Sequence, residues 1–230
     1  MIPWKLVDRA ETKDTGELRL YQRGAEFSIR IDGREVMNSR LHSSEDALAE
    51  IPCAQIADRA QPTVLVGGLG MGFTLAAALR QLGTAARVIV AELIPAVVSW
   101  NQGVLRELAG NPLDDPRVSV RVEDVARSIE AGRGEFDAVL LDVDNSPDSL
   151  IQQQNRWLYT KAGLSAIRAS LRPGGVLGVW SVGPDAGFSR RVRAAGFEVD
   201  NVPVRARGRL GGARHRVTVA RPRKAEGRQR

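Results

Sequence analysis

Four glycines lie in the stretch VLVGGLGMG, where a short apolar run gives way to a helical pattern: Gly67, Gly68, Gly70 and Gly72. A turn built from residues without side chains lets the backbone reverse sharply and approach a ligand closely. The helix predicted over residues 73–82 directs its free N–H groups at the same place. This combination predicts that a nucleotide-like ligand binds at the turn.

A glutamate follows the next predicted strand, residues 87–91 (RVIVA). Glu92 lies about 20 residues beyond the last glycine, the distance at which a carboxylate can accept both hydroxyls of a ribose. The order of strand, glycine turn, helix, strand and acid therefore predicts a nucleoside pocket. In the plainer interpretation, the glycines only shape a tight turn and Glu92 is a solvated strand end.

Four more carboxylates follow predicted strands: Glu123 and Asp124 after residues 118–122, and Asp142 and Asp144 after residues 136–141 (FDAVLL). Ligands of an open parallel sheet bind at this carboxyl edge. Asp124 could hydrogen-bond an adenine amino group. Asp142 would project into the centre of the cleft, where a carboxylate can stabilise a positively charged donor or take a proton from a nucleophile.

The plainer interpretation of each of these acids is a solvated loop residue, and it fits Glu123 and Asp144 best. Asp137 begins its strand, so it lies at the opposite edge of the sheet. We therefore exclude Asp137 from the site.

Strand and helix patterns alternate from residue 62 onward, which predicts an α/β fold with a mostly parallel sheet covered on both faces. The predicted strands cover residues 64–67, 87–91, 118–122, 136–141, 176–180, 197–202 and 215–220. No helix separates the last two, so they predict an antiparallel hairpin at the sheet edge. The predicted helices cover residues 43–58, capped by Ser43 or Ser44, and residues 73–82, 95–108, 159–171 and 185–195.

Apolar residues alternate in the first forty positions, and Asp32-Gly33 separates two of the alternating runs. Asp-Gly between such runs is a strong hairpin signal. We expect a small antiparallel sheet of about three strands to precede the α/β domain.

The net charge of +6 is concentrated at one end of the chain. Residues 205–230 hold ten arginine or lysine residues and one glutamate, so the rest of the chain is net negative. A basic end of this kind is more often solvated than a binding device. The charge therefore does not favour a nucleic-acid partner.

Metal ligands are scarce: Cys53 is the only cysteine, and His42 and His215 are the only histidines. This excludes an internal disulfide and a site built from cysteines, and we expect no metal. The apolar runs are too short to span a bilayer, and the first residues lack the apolar core of a signal peptide. We expect no membrane partner and a cytoplasmic protein.

The motifs GGLGMG, Glu92, Glu123-Asp124, FDAVLLD and LYTKAGLSAIRASLRPGGVL occur in an order that resembles the spermidine synthases and their relatives among the class I S-adenosylmethionine (AdoMet) transferases. The resemblance covers residues 16–220. It implies a Rossmann-like, doubly wound sheet of six or seven strands behind a small N-terminal β-domain. It also implies AdoMet or its decarboxylated form as donor, a small-molecule acceptor, and often a homodimer.

The resemblance assigns roles by position. Glu92 matches the acidic residue that binds the ribose, and Asp124 matches the one that binds adenine. Asp142 matches the catalytic carboxylate that takes a proton from the acceptor amine. Glu123 and the four glycines complete the expected donor site. The implied domains are a β-hairpin domain over residues 1–42, the transferase domain over residues 43–221 and a basic disordered tail over residues 222–230.

Three positions depart from the family pattern. Gly70 stands where the family carries an Asp that holds the aminopropyl ammonium of the donor, and Asn145 stands at the place of a second acid that binds the amine. Leu48 occupies the place of a Tyr that contacts the diamine. Asp144 could replace one lost acid. These departures weigh against ordinary spermidine synthesis, because buried ammonium groups need carboxylate partners.

Three functions follow as alternatives. The first is a transferase that moves a methyl or an aminopropyl group to a small acceptor. The second is a non-catalytic relative that binds AdoMet or methylthioadenosine. The third is a nucleic-acid methyltransferase that uses the arginine-rich residues 205–216, although no interleaved aromatic residues support it.

Overall fold

A computed structural model of the chain describes residues 2–12, 16–142 and 156–223, which form two sheets and six helices. The first sheet is antiparallel, with its four strands in sequence order. Its strands are β1 (Lys5–Thr12), β2 (Gly16–Arg23), β3 (Glu26–Ile31) and β4 (Arg34–Asn38). The predicted N-terminal antiparallel domain is confirmed, with one strand more than we expected.

The hairpin between β3 and β4 turns at Asp32 and Gly33, whose φ angles are 48° and 79°. Two consecutive positive φ angles match the right-handed twist of the flanking strands, which explains the Asp-Gly sequence. Alternate residues of β2 and β3, among them Leu20 and Ile29, are buried against the rest of the protein. β1 was not predicted, because most of its residues are exposed and its apolar residues do not alternate.

The second sheet has seven strands in the order β10-β11-β9-β8-β5-β6-β7. Its strands are β5 (Thr63–Gly67), β6 (Arg87–Glu92), β7 (Val118–Val122), β8 (Phe136–Leu141), β9 (Leu171–Ser181), β10 (Phe197–Arg205) and β11 (Arg214–Pro222). The strands β5 to β9 pair in parallel, and β11 is antiparallel to both β9 and β10. The predicted mostly parallel sheet with an antiparallel edge hairpin is confirmed.

Helices cover both faces of this sheet. They are α1 (Ser43–Ala54), α2 (Phe73–Gln81), α3 (Pro95–Gln102), α4 (Val125–Ala131), α5 (Lys161–Ser170) and α6 (Ala186–Ala194). One core joins the first three helices to strand residues such as Val64 and Val66, and a second core joins the last three to Leu65 and Val139. Because successive strand residues point to opposite faces, the continuous apolar run of β5 contributes to both cores.

Some helix boundaries differ from the prediction. The helix expected over residues 95–108 ends at Gln102, and the first helix ends at Ala54. His42 rather than a serine occupies the N-cap position of α1 and makes no capping hydrogen bond there, so the predicted serine cap is wrong. α4 was not predicted, because seven residues are too few to show a helical period.

The last strand extends one residue into the segment that was predicted to be a basic tail. Pro222 pairs with Phe197, and the N–H of Arg223 donates to the carbonyl of Gly196 at 2.9 Å. The remaining residues of that segment, 224–230, lie outside the described part of the chain.

Candidate active site

A cavity lies at the carboxyl ends of β5, β6, β7 and β8, and residues of the N-terminal sheet cover it. Six of the predicted site residues line this cavity together: Gly68, Gly70, Glu92, Glu123, Asp124 and Asp142. The N-terminal sheet contributes the apolar side chains of Leu18, Ile29, Val36 and Met37. The acids follow successive parallel strands, which is why residues far apart in sequence meet at one edge.

The glycine turn has a left-handed backbone at Gly68, Gly70 and Gly72, with φ angles of 90°, 54° and 84°. Most side chains rarely adopt this conformation, so glycine favours the shape of the turn. The N–H of Gly68 donates to the carbonyl of Ala91 at 2.9 Å, which ties the turn to β6.

Two of the predicted glycines pack against protein instead of lining the cavity. A Cβ atom on Gly67 would lie 2.9 Å from Cγ2 of Val125, and one on Gly72 would lie 3.1 Å from Oδ1 of Asn101. Both positions therefore need glycine, because neighbouring side chains pack closely against the backbone of the turn there.

Glu92 is buried at the base of the cavity, with 7% of its surface exposed. Its Oε2 atom accepts the N–H of Leu69 at 2.8 Å, and its Oε1 atom accepts the N–H of Ile94 at 2.8 Å. Burial raises the pKa of Glu92, and these backbone hydrogen bonds oppose the rise. The carboxylate is thus held in one orientation and keeps further acceptor capacity on each oxygen.

The two acids after β7 also have protein partners. The hydroxyl of Ser128 donates to Oε1 of Glu123 at 2.5 Å. Oδ1 of Asp124 accepts the N–H of Ala126 at 2.9 Å and caps α4. These contacts fix both carboxylates at the rim of the cavity.

Asp142 directly follows β8, and its backbone N–H donates to the carbonyl of Gly67 at 3.0 Å. Its Oδ2 atom accepts the hydroxyl of Thr74 at 2.7 Å. Thr74 lies in the first turn of α2, immediately after the glycine turn. The strand and the helix therefore position this carboxylate together.

Glu45, in the first turn of α1, is a functional candidate that the sequence did not reveal. Only 8% of its surface is exposed, and the hydroxyl of Ser44 donates to its Oε2 atom at 2.5 Å. Burial and the negative charge of Asp142 raise the pKa of Glu45 to about 7. An acid in the first turn of a helix is common on electrostatic grounds alone, so the sequence held no signal for this role.

Ser44 extends the polar contacts of Glu45 to the C-terminal strand. Its Oγ atom lies 2.9 Å from Nδ1 of His215 in β11. Burial lowers the pKa of His215. Ser44 therefore connects the Glu45 carboxylate to the last strand of the second sheet.

Met37 of β4 is a second site residue that the sequence did not reveal. Its sulfur accepts the N–H of Met71 at 3.2 Å, so the N-terminal sheet contacts the glycine turn directly. A Cβ atom on Gly70 would lie 2.6 Å from Cε of Met37. The thioether thus fills the space beside Gly70.

Other residues named from the sequence lie elsewhere. Leu48 is a residue of α1 and is fully buried in the core. Asp144 and Asn145 lie outside the described residues. Asp137 lies at the opposite edge of the sheet, as predicted, where it is bound to Arg59 and Arg172. Within the described ranges, no helix is both long enough and apolar enough to cross a membrane.

The family model for the spermine/spermidine synthase domain matches residues 42–181. A polyamine aminopropyltransferase of Mycobacterium tuberculosis (strain CDC 1551 / Oshkosh) is 30% identical over 153 residues, which are 63% of this chain and 28% of that protein. One of Pyrobaculum aerophilum is 32% identical over 117 residues, which are 50% of this chain and 39% of that protein. The chain thus spans well under half the length of these curated relatives.

Solved structures share the fold. The spermidine synthase of Thermotoga maritima matches 94% of this chain and 72% of its own, with a TM-score of 0.75 and 18% identity. A probable spermidine synthase of Corynebacterium glutamicum ATCC 13032 matches 95% of this chain and 79% of its own, with a TM-score of 0.64 and 16% identity.

Proposed function

Because this chain belongs to the spermine/spermidine synthase domain family, we propose that it is an aminopropyltransferase that uses decarboxylated AdoMet and an amine acceptor. In this reaction the amine nitrogen attacks the aminopropyl carbon next to the donor sulfonium. The new C–N bond forms as the C–S bond breaks, and the electron pair goes to sulfur. Methylthioadenosine leaves, and the amine loses one proton.

The observation that carries the proposal is the position of Asp142. Its carboxylate lies in the same cavity as the glycine turn and Glu92, and the Thr74 hydroxyl holds it at 2.7 Å. A fixed carboxylate beside the reacting nitrogen can take the proton that the amine loses. We assign Asp142 as this proton acceptor.

The donor nucleoside fits the remaining lining residues. Both oxygens of Glu92 are oriented by backbone N–H groups and can accept the two ribose hydroxyls. Asp124 lies at the rim formed by β7, where it can accept the adenine amino group, with Glu123 beside it. Gly68 and Gly70 let the backbone approach the sulfur end of the donor.

The aminopropyl end of the donor meets an unusual surface. Gly70 carries no carboxylate, and the Met37 thioether lies beside it. Any carboxylate that balances the donor ammonium must therefore come from another position.

Glu45 and Asp142 together form an acidic pair suited to a cationic amine acceptor. The negative charge of Asp142 raises the pKa of Glu45, and a bound ammonium group would relieve that repulsion. This pair supports an amine rather than a neutral acceptor.

The decisive assay incubates the protein with decarboxylated AdoMet and a series of monoamines, diamines and polyamines, and measures methylthioadenosine and the extended amine by mass spectrometry. We expect both products from at least one amine. Asp142→Asn keeps the shape and should slow transfer by about 10²- to 10⁴-fold. Nucleoside affinity should change little in this variant.

The same assay with AdoMet tests methyl transfer, which the comparisons do not support. Methylthioadenosine binding without turnover of any amine would instead indicate a non-catalytic relative. A homodimer and a cytoplasmic location stay predictions from the sequence.

A further inference from the structure

A second cavity, of about 390 Å³, lies between α6 and the strands β10 and β11. It is separate from the cavity that Glu92 and Asp142 line, here called the acidic cavity, because the two share no lining residue. Its volume falls within the range of about 300 to 1,000 Å³ that is usual for small-molecule sites. The cavity is therefore large enough for a metabolite.

Three arginines line this cavity: Arg190 and Arg193 of α6, and Arg216 of β11. Across residues 2–12, 16–142 and 156–223, none of the three forms an ion pair. The Nε atom of Arg216 is buried and has no hydrogen-bond partner in that part of the chain. A buried guanidinium N–H without an acceptor is unfavourable, so this geometry points to a missing acceptor.

Asp185 is the one carboxylate among the described residues that line the cavity, and it is already engaged. Its Oδ1 atom accepts the N–H of Phe188 at 2.8 Å, and its Oδ2 atom lies 3.8 Å from Nη2 of Arg191, which does not line the cavity. The cavity therefore keeps an excess of positive charge.

The Ser189 hydroxyl adds a neutral donor to the same cavity. The hydroxyl of Thr218 donates to Oδ1 of Asn201 at 2.9 Å, and Nδ2 of Asn201 donates to Oγ of Ser189 at 3.1 Å. Ser189 thus receives a hydrogen bond, and its own hydroxyl hydrogen remains for a further acceptor. Ser189 and the three arginines, all of them hydrogen-bond donors, therefore line the same cavity.

We propose that this cavity binds the phosphate group of a small molecule. Guanidinium groups present paired N–H donors that match the oxygens of a phosphate, and several arginines can share its charge. The phosphate oxygens would accept guanidinium N–H groups of the lining arginines and would relieve the repulsion between the three side chains. Arg216 pairs with Ser181 at the carboxyl end of β9, so this site shares a sheet edge with Asp142.

Calorimetric titration with inorganic phosphate, against sodium chloride at the same ionic strength, tests the proposal. We expect saturable phosphate binding that Arg216→Met weakens at least tenfold, since the substitution keeps the apolar stem and removes the donors. Arg193→Met, at an exposed helix position, should weaken binding as well with little effect on folding. Arg87→Met removes the same charge at the amino end of β6 and should leave phosphate affinity unchanged.

Absence of saturable phosphate binding to the parent protein would overturn the proposal. So would an equal loss of affinity in Arg87→Met, because it would show that overall charge and not this cavity attracts the anion. The readout is binding without turnover, so this result is independent of the aminopropyltransferase assay.

Discussion

The Met37 sulfur lies 3.2 Å from the backbone nitrogen of Met71, and the Met37 methyl group occupies the space where a side chain on Gly70 would begin. One residue of the N-terminal sheet therefore both accepts a hydrogen bond from the glycine turn and packs against its central glycine. The Met37 thioether fills the space beside this glycine.

The first prediction concerns this pair. Gly70→Asp should destabilise the fold by roughly 2 kcal/mol, because the residue adopts φ of 54° and the end of the Met37 side chain would have to move away from the new Cβ atom. In a Met37→Ala background the same substitution should be less harmful, since the space beside position 70 is then open. Urea unfolding of the four proteins measures this coupling. Strictly additive losses would show that the two side chains do not compete.

The second prediction is a pH dependence set by Glu45. Its pKa rises from 4.5 to about 7 on folding, so the folded state holds the proton more tightly than the unfolded state. The contribution of Glu45 to stability is complete below about pH 4.5 and declines as the pH rises to about 7, by roughly 3 kcal/mol at most.

Glu45→Gln removes this titration and keeps an oxygen for the Ser44 hydroxyl. Relative to the parent protein, the variant should therefore gain thermal stability between about pH 5 and about pH 8. Melting temperatures across this range provide the measurement. A constant difference between the two proteins would mean that Glu45 ionises normally and that Asp142 does not influence it.

The third prediction is that Glu92→Gln weakens methylthioadenosine binding at least tenfold. The amide offers one acceptor oxygen where the carboxylate offers two, and hydrogen bonds to charged groups contribute about 1.5 to 3 kcal/mol. Calorimetry on a variant shown to be folded by circular dichroism gives the affinity. Parent-like affinity would remove Glu92 from the ribose site.

The fourth prediction separates structure from function at the opposite edge of the sheet. Asp137 is 1% exposed, and its Oδ2 atom accepts the N–H of Thr63 at 2.6 Å and Nη1 of Arg172 at 2.8 Å. Asp137→Ala leaves these donors without their acceptor and should destabilise the protein by roughly 3 kcal/mol. The affinity of the variant for methylthioadenosine, measured below its melting temperature, should not change.

Asp114→Ala is the matched control, because Asp114 pairs with Arg106 at the surface. Both of these side chains are about half exposed, so we expect a change in stability of under about 1 kcal/mol. A comparable loss of stability in Asp137→Ala and Asp114→Ala would mean that the burial of Asp137 does not increase its contribution to stability.

The elements that the sequence predicted are those with a local signal. β5 shows a continuous apolar run, and the β3–β4 hairpin turns at Asp-Gly; both are explained by neighbours in the chain. β1 and α4 lack such a signal, since one is largely exposed and the other is too short. Whether β1 and α4 form therefore depends on contacts with residues that are distant in sequence.

The same division holds for the candidate site. Glu92, Asp124 and Asp142 could be placed in advance, because each follows a strand of a parallel sheet and topology brings strand ends together. Glu45 and Met37 could not. Glu45 reaches the site through the packing of α1 next to α2, and Met37 reaches it through the position of a second sheet.

The cover that the N-terminal sheet forms over the acidic cavity has an evolutionary consequence. Leu18, Ile29, Val36 and Met37 contact the cavity from outside the segment that the family model matches, which begins at residue 42. Under the proposed function, substitutions in this cover would change the space around the transferred group while every carboxylate stays in place. Under that function, divergence in the length of the accepted substrate should be sought in the first forty residues.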